Sequence, residues 1–308
     1  MSEPRNSGRA PSIYQSCVAG RHGPIPVRRY SPRRGEGGPS PVVVWLHGGA
    51  FSHGDLDMPE SHAVALHLAD AGHAVVAVDY RRVPPWRWWA PPRSGVLAGV
   101  RYPVPVDDVI DAVLHIRGEA IESGRRFGLG GASAGACLAA AATLRLVRER
   151  QVTPDFLMLA YGTFHAQLPP VSPQLRSRLR GRHGVIQFRP STVERMNRNY
   201  AGCVEAMSDP FAFPGGHGLR GMPTTLVLDA DRDSLRASGE RFATELTEAG
   251  TDVTYAVVPE STHGFLNRPG KSAFDLATDR MTDWLAARNP GTPEHILHDS
   301  GHQPQSEG

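Results

Sequence analysis

Phe127-Gly128-Leu129-Gly130-Gly131-Ala132-Ser133-Ala134-Gly135-Ala136 leads from a short apolar run into an alanine-rich segment that reads as helix to about residue 147. Within it, Gly131-Ala132-Ser133-Ala134-Gly135 fits G-x-S-x-G, the turn between a strand and a helix that lifts a serine out of a sheet. Such a turn strains the backbone at the serine, so the residues two before and two after it must be very small, which Gly131 and Gly135 are. A helix starting at Ala134 also aims its free amides and the positive end of its dipole at charge developing beside the serine oxygen. Five residues of this kind are a weak signal alone, because a Gly-rich strand-to-helix turn can be simply a turn. A nucleophilic serine further requires a base, an orienting acid and amides for an oxyanion, and each can be sought elsewhere in the chain.

The chain has 308 residues, enough for one large core, and its elements alternate without a clean place to divide it. Lys and Arg total 33 against 31 Asp and Glu, a formal net charge of +2, so no global field for nucleic acid is built. Cys17, Cys137 and Cys203 are odd in number and widely spaced, which predicts reduced thiols in a cytoplasmic protein. The first eleven residues are polar and lack the apolar core of a signal peptide, and no run is long enough to span a bilayer.

Two β-type runs, residues 13–18 and 25–30, flank a Gly/Pro turn and predict an antiparallel hairpin. Val42-Val43-Val44-Trp45-Leu46 suits a strand buried on both faces and empties into His47-Gly48-Gly49-Ala50-Phe51. Asp57-Met58-Pro59-Glu60 reads as a capped helix start, and Gly72 as its end. Further strands are expected at 73–80, 156–161, 224–230 and 253–258, with helices at 104–117, about 234–249 and about 272–288. Asp107 and Asp108 read as helix caps, and Ser191-Thr192-Val193-Glu194 as another helix start. This alternation predicts an α/β fold with a mostly parallel sheet covered by helices on both faces, and sites at the C-terminal ends of its strands.

The loops at those ends carry chemistry. Ser133, Asp233 and His263 occur in the order nucleophile, acid, histidine expected of an α/β-hydrolase. Neutral imidazole takes the serine proton, and the carboxylate holds the ring in the correct tautomer and stabilises the cation. In His47-Gly48-Gly49-Ala50, glycines let backbone approach a reacting carbonyl. The expected oxyanion donors are the amides of Gly49, Ala50 and Ala134, with Gly48 shaping the turn.

With these residues in place, the sequence resembles the hormone-sensitive-lipase-like, or fold-3, branch of the α/β-hydrolases, a group of bacterial carboxylesterases. The resemblance rests on His47-Gly48-Gly49-Ala50-Phe51, Gly54-Asp55-Leu56-Asp57, Val78-Asp79-Tyr80-Arg81, residues 131–135, Asp233-Ser234-Leu235-Arg236 and His263-Gly264-Phe265, in order from about residue 42 to 285. It implies the α/β-hydrolase fold with a small helical cap, hydrolysis of small carboxylic esters through an acyl-enzyme, no cofactor and no metal. It also implies a homodimer. It favours Asp233 over Asp229 and Asp231 as the acid.

The sequence departs from that branch at several points. Ala50 stands at the third glycine of the loop, Ala132 precedes the serine where relatives carry an acid, and residues 84–92 lengthen a segment with Trp86, Trp88 and Trp89. The short N-terminal part moves the expected cap to residues 163–210. A substrate pocket is assigned to Phe51, Trp86, Trp88 and Trp89, although the tryptophans would equally pack the insert onto the surface or a partner. Arg176, Arg178, Arg180, Arg182, Arg189, Arg195 and Arg198 read as a solvated basic face rather than an anion site. Asp79 and Arg81 are expected to pair beside the site. His295, His298 and His302 fall in a polar tail, residues 289–308, read as mobile rather than metal-binding. Rival activities are deacetylation or amide hydrolysis of a natural product by the same residues, and a receptor that kept the fold without the chemistry.

Overall fold

A computed structural model of the chain describes residues 10–32, 40–85, 99–180 and 187–288. Two edge strands, β1 (Ser12–Val18) and β2 (Ile25–Ser31), form the expected hairpin, with Val18 opposite Ile25. Six parallel strands follow: β3 (Val42–Leu46), β4 (Ala74–Val78), β5 (Phe127–Ala132), β6 (Phe156–Ala160), β7 (Thr225–Ala230) and β8 (Val253–Val258). The eight strands lie in the order β1-β2-β4-β3-β5-β6-β7-β8, with β2 antiparallel to β4.

β3 shows why this sheet must be covered twice. All five of its residues are buried; Val42, Val44 and Leu46 enter one core and Val43 and Trp45 the other. Helices α1 (Pro59–Asp70) and α7 (Ser272–Ala286) cover the Trp45 face, which also receives Leu68 and Trp284. The opposite face carries α2 (Val104–Glu122), α3 (Ala134–Arg148) and α6 (Arg236–Glu248). α3 buries Ala136, Ala139, Ala140, Ala141 and Ala142 completely, and these short side chains let it lie close to both the sheet and α2. Between β6 and β7 the chain forms α4 (Pro173–Arg178), α5 (Pro190–Ala201) and a 3₁₀ turn, Glu205–Ser208.

Several polar expectations change in three dimensions. Met58, not Asp57, occupies the N-cap of α1 and supplies no side-chain bond; the Asp55 carboxylate accepts instead from the amides of Asp57 and Met58, at 2.9 and 3.0 Å. Asp57 is thereby left to accept from Arg28 Nη2 at 2.7 Å. Asp107 and Asp108 are not caps, because α2 already begins at Val104 and turns both carboxylates inward. Asp107 pairs with Arg145 at 2.8 Å and Arg21 at 3.2 Å. Asp108 accepts from the Arg81 amide at 2.9 Å and from the Arg81 guanidinium. Arg81 therefore serves Asp108 rather than Asp79, since its backbone and side-chain donors both face the first turns of α2. Asp79 lies 3.5 Å from His47 Nε2. The N-cap of α5 is Arg189, two residues before the expected Ser191, because Pro190 at the first helical position presets φ, and Glu194 binds Arg198 along the helix at 2.8 Å.

Arg178 and Arg198 are about half exposed and paired with Asp231 and Glu194, as a solvated basic face requires. Trp86, Trp88, Trp89, Arg182 and the three tail histidines lie outside the described residues. Cys137 is buried, Cys203 half-buried and Cys17 exposed. No helix among the described residues is long and apolar enough to cross a membrane.

The Asp108 carboxylate is completely buried while Arg81 retains some exposure, so removing the acid takes a buried acceptor from the Arg81 amide and guanidinium. Asp108→Ala is expected to destabilise the fold by about 3 kcal/mol, read as a lower urea midpoint at unchanged slope. A midpoint within error of the native protein would remove this pair from the set of stabilising contacts.

Candidate active site

β5 and β3 end side by side, Leu46 opposite Gly131, so the turn after β5 opens directly beside the 47–50 loop. Ser133 sits in that turn at φ 53° and ψ −116°, a region costing of order 1–3 kcal/mol unless its surroundings enforce it. They do so by contact. A Cβ on Gly131 would lie 2.6 Å from the Gly135 carbonyl carbon, and one on Gly135 would lie 2.7 Å from that of Leu46 and collide with the His47 oxygen. Only glycine at both positions lets the start of α3 press against the end of β3. The Ser133 amide is spent on the Ala160 carbonyl at 2.9 Å, so the side chain is carried to the rim of the sheet.

Ser133 Oγ lies 3.0 Å from His263 Nε2, and His263 Nδ1 lies 2.6 Å from Asp233 Oδ2. Asp233 comes from the loop after β7 and His263 from the loop after β8, strands paired in parallel to their last residues. The other Asp233 oxygen accepts from the Leu235 amide at 3.0 Å, which orients the carboxylate. The imidazole rests between the edges of Tyr161 and Phe188, each with its centroid 5.0 Å away. Burial alone would lower the His263 pKa; the charge and hydrogen bond of Asp233, with the charge of Glu60, reverse this and hold it above the usual histidine value.

Among the described residues, the acid hydrogen-bonded to His263 is Asp233, and the neighbouring acids lie elsewhere. Asp229 is wholly buried one turn of strand away, its pKa raised well above the usual range by burial and by the charge of Asp233. Asp231 faces Arg178 at 3.2 Å and Arg236 at 3.6 Å.

The 47–50 loop is shaped by its own bonds. Gly49, Ala50 and Phe51 all have positive φ, and the Gly49 carbonyl accepts from the amides of Ser52 and His53. His47 is buried, stacks on Tyr80 at 4.4 Å and has its carbonyl held by the Tyr80 hydroxyl at 2.8 Å. Gly48 donates to Glu60 Oε1 at 2.8 Å, so its amide is already engaged. Among the described residues no acceptor meets the amides of Gly49, Ala50 and Ala134. Gly49 and Ala50 border a cavity of about 310 Å³ at Ser133 and His263, walled also by Met58, Phe188, Met196 and Leu235, and Ala134 follows Ser133 directly in the chain.

Phe51 differs from expectation. It is fully buried and stacks on Tyr200 at 4.0 Å, packing beneath the loop instead of lining the cavity, because its left-handed backbone turns the side chain toward the core. The lining residues Met58, Phe188 and Met196 were not assigned to the pocket from the sequence, because nothing in their local pattern shows that they face Ser133. Glu60 was visible only as an acid near a helix start. No group of three or more potential metal ligands occurs among the described residues.

Known proteins similar to this chain are found by sequence and by structure. Carboxylesterase NlhH of Mycobacterium tuberculosis is 30% identical over 249 residues, 79% of this chain and 72% of that protein. Ethyl acetate hydrolase of Pseudomonas putida is 29% identical over 251 residues, 79% of this chain and 71% of its own. Among solved structures, a hyperthermophilic esterase of the archaeon Pyrobaculum calidifontis superposes with a TM-score of 0.75 at 26% identity, covering 91% of this chain and 85% of the other. Residues 43–267 match the profile of a family described by the alpha/beta hydrolase fold, and since that span takes in most of the chain and both loops that flank the serine, the chain belongs to that family.

Proposed function

We propose that this protein is a serine carboxylesterase that hydrolyses small carboxylic esters through an acyl-enzyme on Ser133. The observation that carries the reading is the unbroken chain Ser133–His263–Asp233, at 3.0 and 2.6 Å, beside three amides that meet no acceptor among the described residues. The esterase names of the relatives support the reaction class, and the cavity of about 310 Å³ with apolar walls supports a small ester.

In the forward step Ser133 Oγ attacks the ester carbonyl while His263 Nε2 accepts its proton, and Asp233 stabilises the imidazolium. The former carbonyl oxygen gains negative charge, for which Gly49, Ala50 and Ala134 are the donors; each such donor is worth about 3 kcal/mol of barrier. As the tetrahedral adduct collapses, the ester C–O bond breaks and His263 returns its proton to the leaving alkoxide. Water then repeats the sequence on the acyl-serine, releasing the acid and regenerating the hydroxyl. Amide substrates would use the same groups against a poorer leaving group.

Ser133→Ala is expected to lower kcat on p-nitrophenyl acetate by at least ~10⁴-fold with Tm unchanged within about 2 °C, and a fluorophosphonate probe should label Ser133 in the native protein only. Native-like turnover by the alanine variant would refute the assignment.

Because His263 must be neutral to accept the serine proton and its pKa is raised, activity should fall with decreasing pH through a value above the ordinary ~6.5. Asp233→Asn removes the largest cause of that elevation. It should shift the acid limb downward and reduce kcat on the order of 10⁴-fold, measured by pH-stat titration of ester hydrolysis. An acid limb unmoved in this variant would dissociate Asp233 from the histidine.

A further inference from the structure

Glu60 is a buried carboxylate for which the triad and its amides leave no task. It is the second residue of α1, 2% exposed, and both of its oxygens are engaged. Oε1 accepts from the Gly48 amide at 2.8 Å, and Oε2 accepts from the Tyr161 hydroxyl at 2.7 Å. The Glu60 backbone is fixed as well, its N–H donating to Asn267 Oδ1 at 3.2 Å and its carbonyl accepting from Trp45 Nε1 at 2.8 Å. The side chain thus ties the loop after β3 to the end of β6, and its backbone ties α1 to the segment after His263. Gly48 leaves no slack in this contact: a Cβ there would lie 2.5 Å from Glu60 Oε1 and 3.1 Å from Ser133 Cβ.

Resting on the esterase reading above, we propose that Glu60 is a positioning residue for catalysis, orienting the oxyanion loop through Gly48 and adding a second negative charge on the His263 imidazole beside that of Asp233.

The first role follows from peptide geometry. Drawing the Gly48 N–H toward Glu60 fixes the plane of the 47–48 peptide and, through the left-handed turn at Gly49 and Ala50, leaves the next two amides facing the cavity. Without that anchor the donors lose the preorganisation on which their effect depends. The second role follows from position and charge. Glu60 and His263 border the same cavity, and Tyr161 lies between them, its hydroxyl 2.7 Å from Glu60 and its ring 5.0 Å from the imidazole. Among the described residues, the charged groups acting on His263 are Asp233, from the loop after β7, and Glu60, from α1, both favouring the imidazolium. Its other polar neighbours carry no charge: Ser133 is a hydroxyl, and Tyr161 stays a phenol because burial and then the charge of Glu60 raise its pKa far above the usual value. A glutamine would make both side-chain bonds, one through its carbonyl and one through its amide to the phenol oxygen. Burying a carboxylate instead costs several kcal/mol, so a merely structural tie would be better served by the amide.

The variants Glu60→Gln and Glu60→Ala separate the two roles when rates on p-nitrophenyl acetate are normalised to active sites titrated with a fluorophosphonate. Glu60→Gln should keep kcat within about tenfold and KM within about threefold while moving the acid limb of kcat/KM to lower pH. Glu60→Ala should lower kcat on the order of 10²-fold, the scale of one lost oxyanion donor, with KM changed less than about threefold. An acid limb in Glu60→Gln that coincides with the native one overturns the proposal, as does native kcat per titrated site in Glu60→Ala. If the alanine variant does not fold, the pH profile of the glutamine variant decides alone. A native protein that fails to react with the fluorophosphonate would instead defeat the serine-esterase reading itself, so the two failures are distinct.

Discussion

The contact on which this structure depends is the one between Gly135, at the start of α3, and the carbonyls of Leu46 and His47 at the end of β3, where no side chain fits. It lets a helix begin immediately after a strand and holds Ser133 in backbone geometry that a looser turn would relax. The same contact sets the Ser133 turn against the 47–50 loop, so that Ser133 shares one cavity with Gly49 and Ala50. The paired ends of β7 and β8 then bring Asp233 to His263. Parallel pairing is what makes this possible: all these loops leave the sheet at the same edge, and residues far apart in the chain meet within hydrogen-bonding distance.

Buried carboxylates in this protein are sorted by what faces them. Asp108 is held by a backbone amide and the guanidinium of Arg81, and Asp107 by two arginines. Glu60 is held by an amide and a phenol, without a cation among those partners, so its charge is felt by the nearby imidazole. Asp233 faces the histidine directly, and Asp229 is so enclosed that burial drives it toward the neutral form. Four of these acids are thereby divided between ties in the framework and groups that set the proton affinity of one ring.

The sequence carried more of the frame than of the cavity. Strand β3 was legible because a strand buried on both faces must be apolar throughout, and the elbow because the turn tolerates only glycine at residues 131 and 135. Ser133, His263 and Asp233 could be named from their order and from the loops they occupy, and they do meet in space. Helix starts were legible only approximately: Asp57, Asp107 and Asp108 have the composition of caps, yet their carboxylates serve arginines brought from other elements. Arg81 took Asp108 over Asp79 for the same reason, since a long side chain chooses its partner by the direction of its strand exit.

What the amino-acid sequence determined by itself was whatever depends on local sterics and short-range order: a doubly covered parallel sheet, a serine on a strained turn, a loop rich in glycine, and an acid and a histidine at later strand ends. What only the tertiary structure decided was partnership across elements, namely that Phe51 turns into the core, that Phe188 and Met196 wall the cavity, and that Glu60 reaches from α1 to Gly48 and Tyr161. Hydrogen bonds and apolar contacts act over a few ångströms, and the neighbours within that range are set by the packing of distant segments, a distance that spacing along the chain does not record.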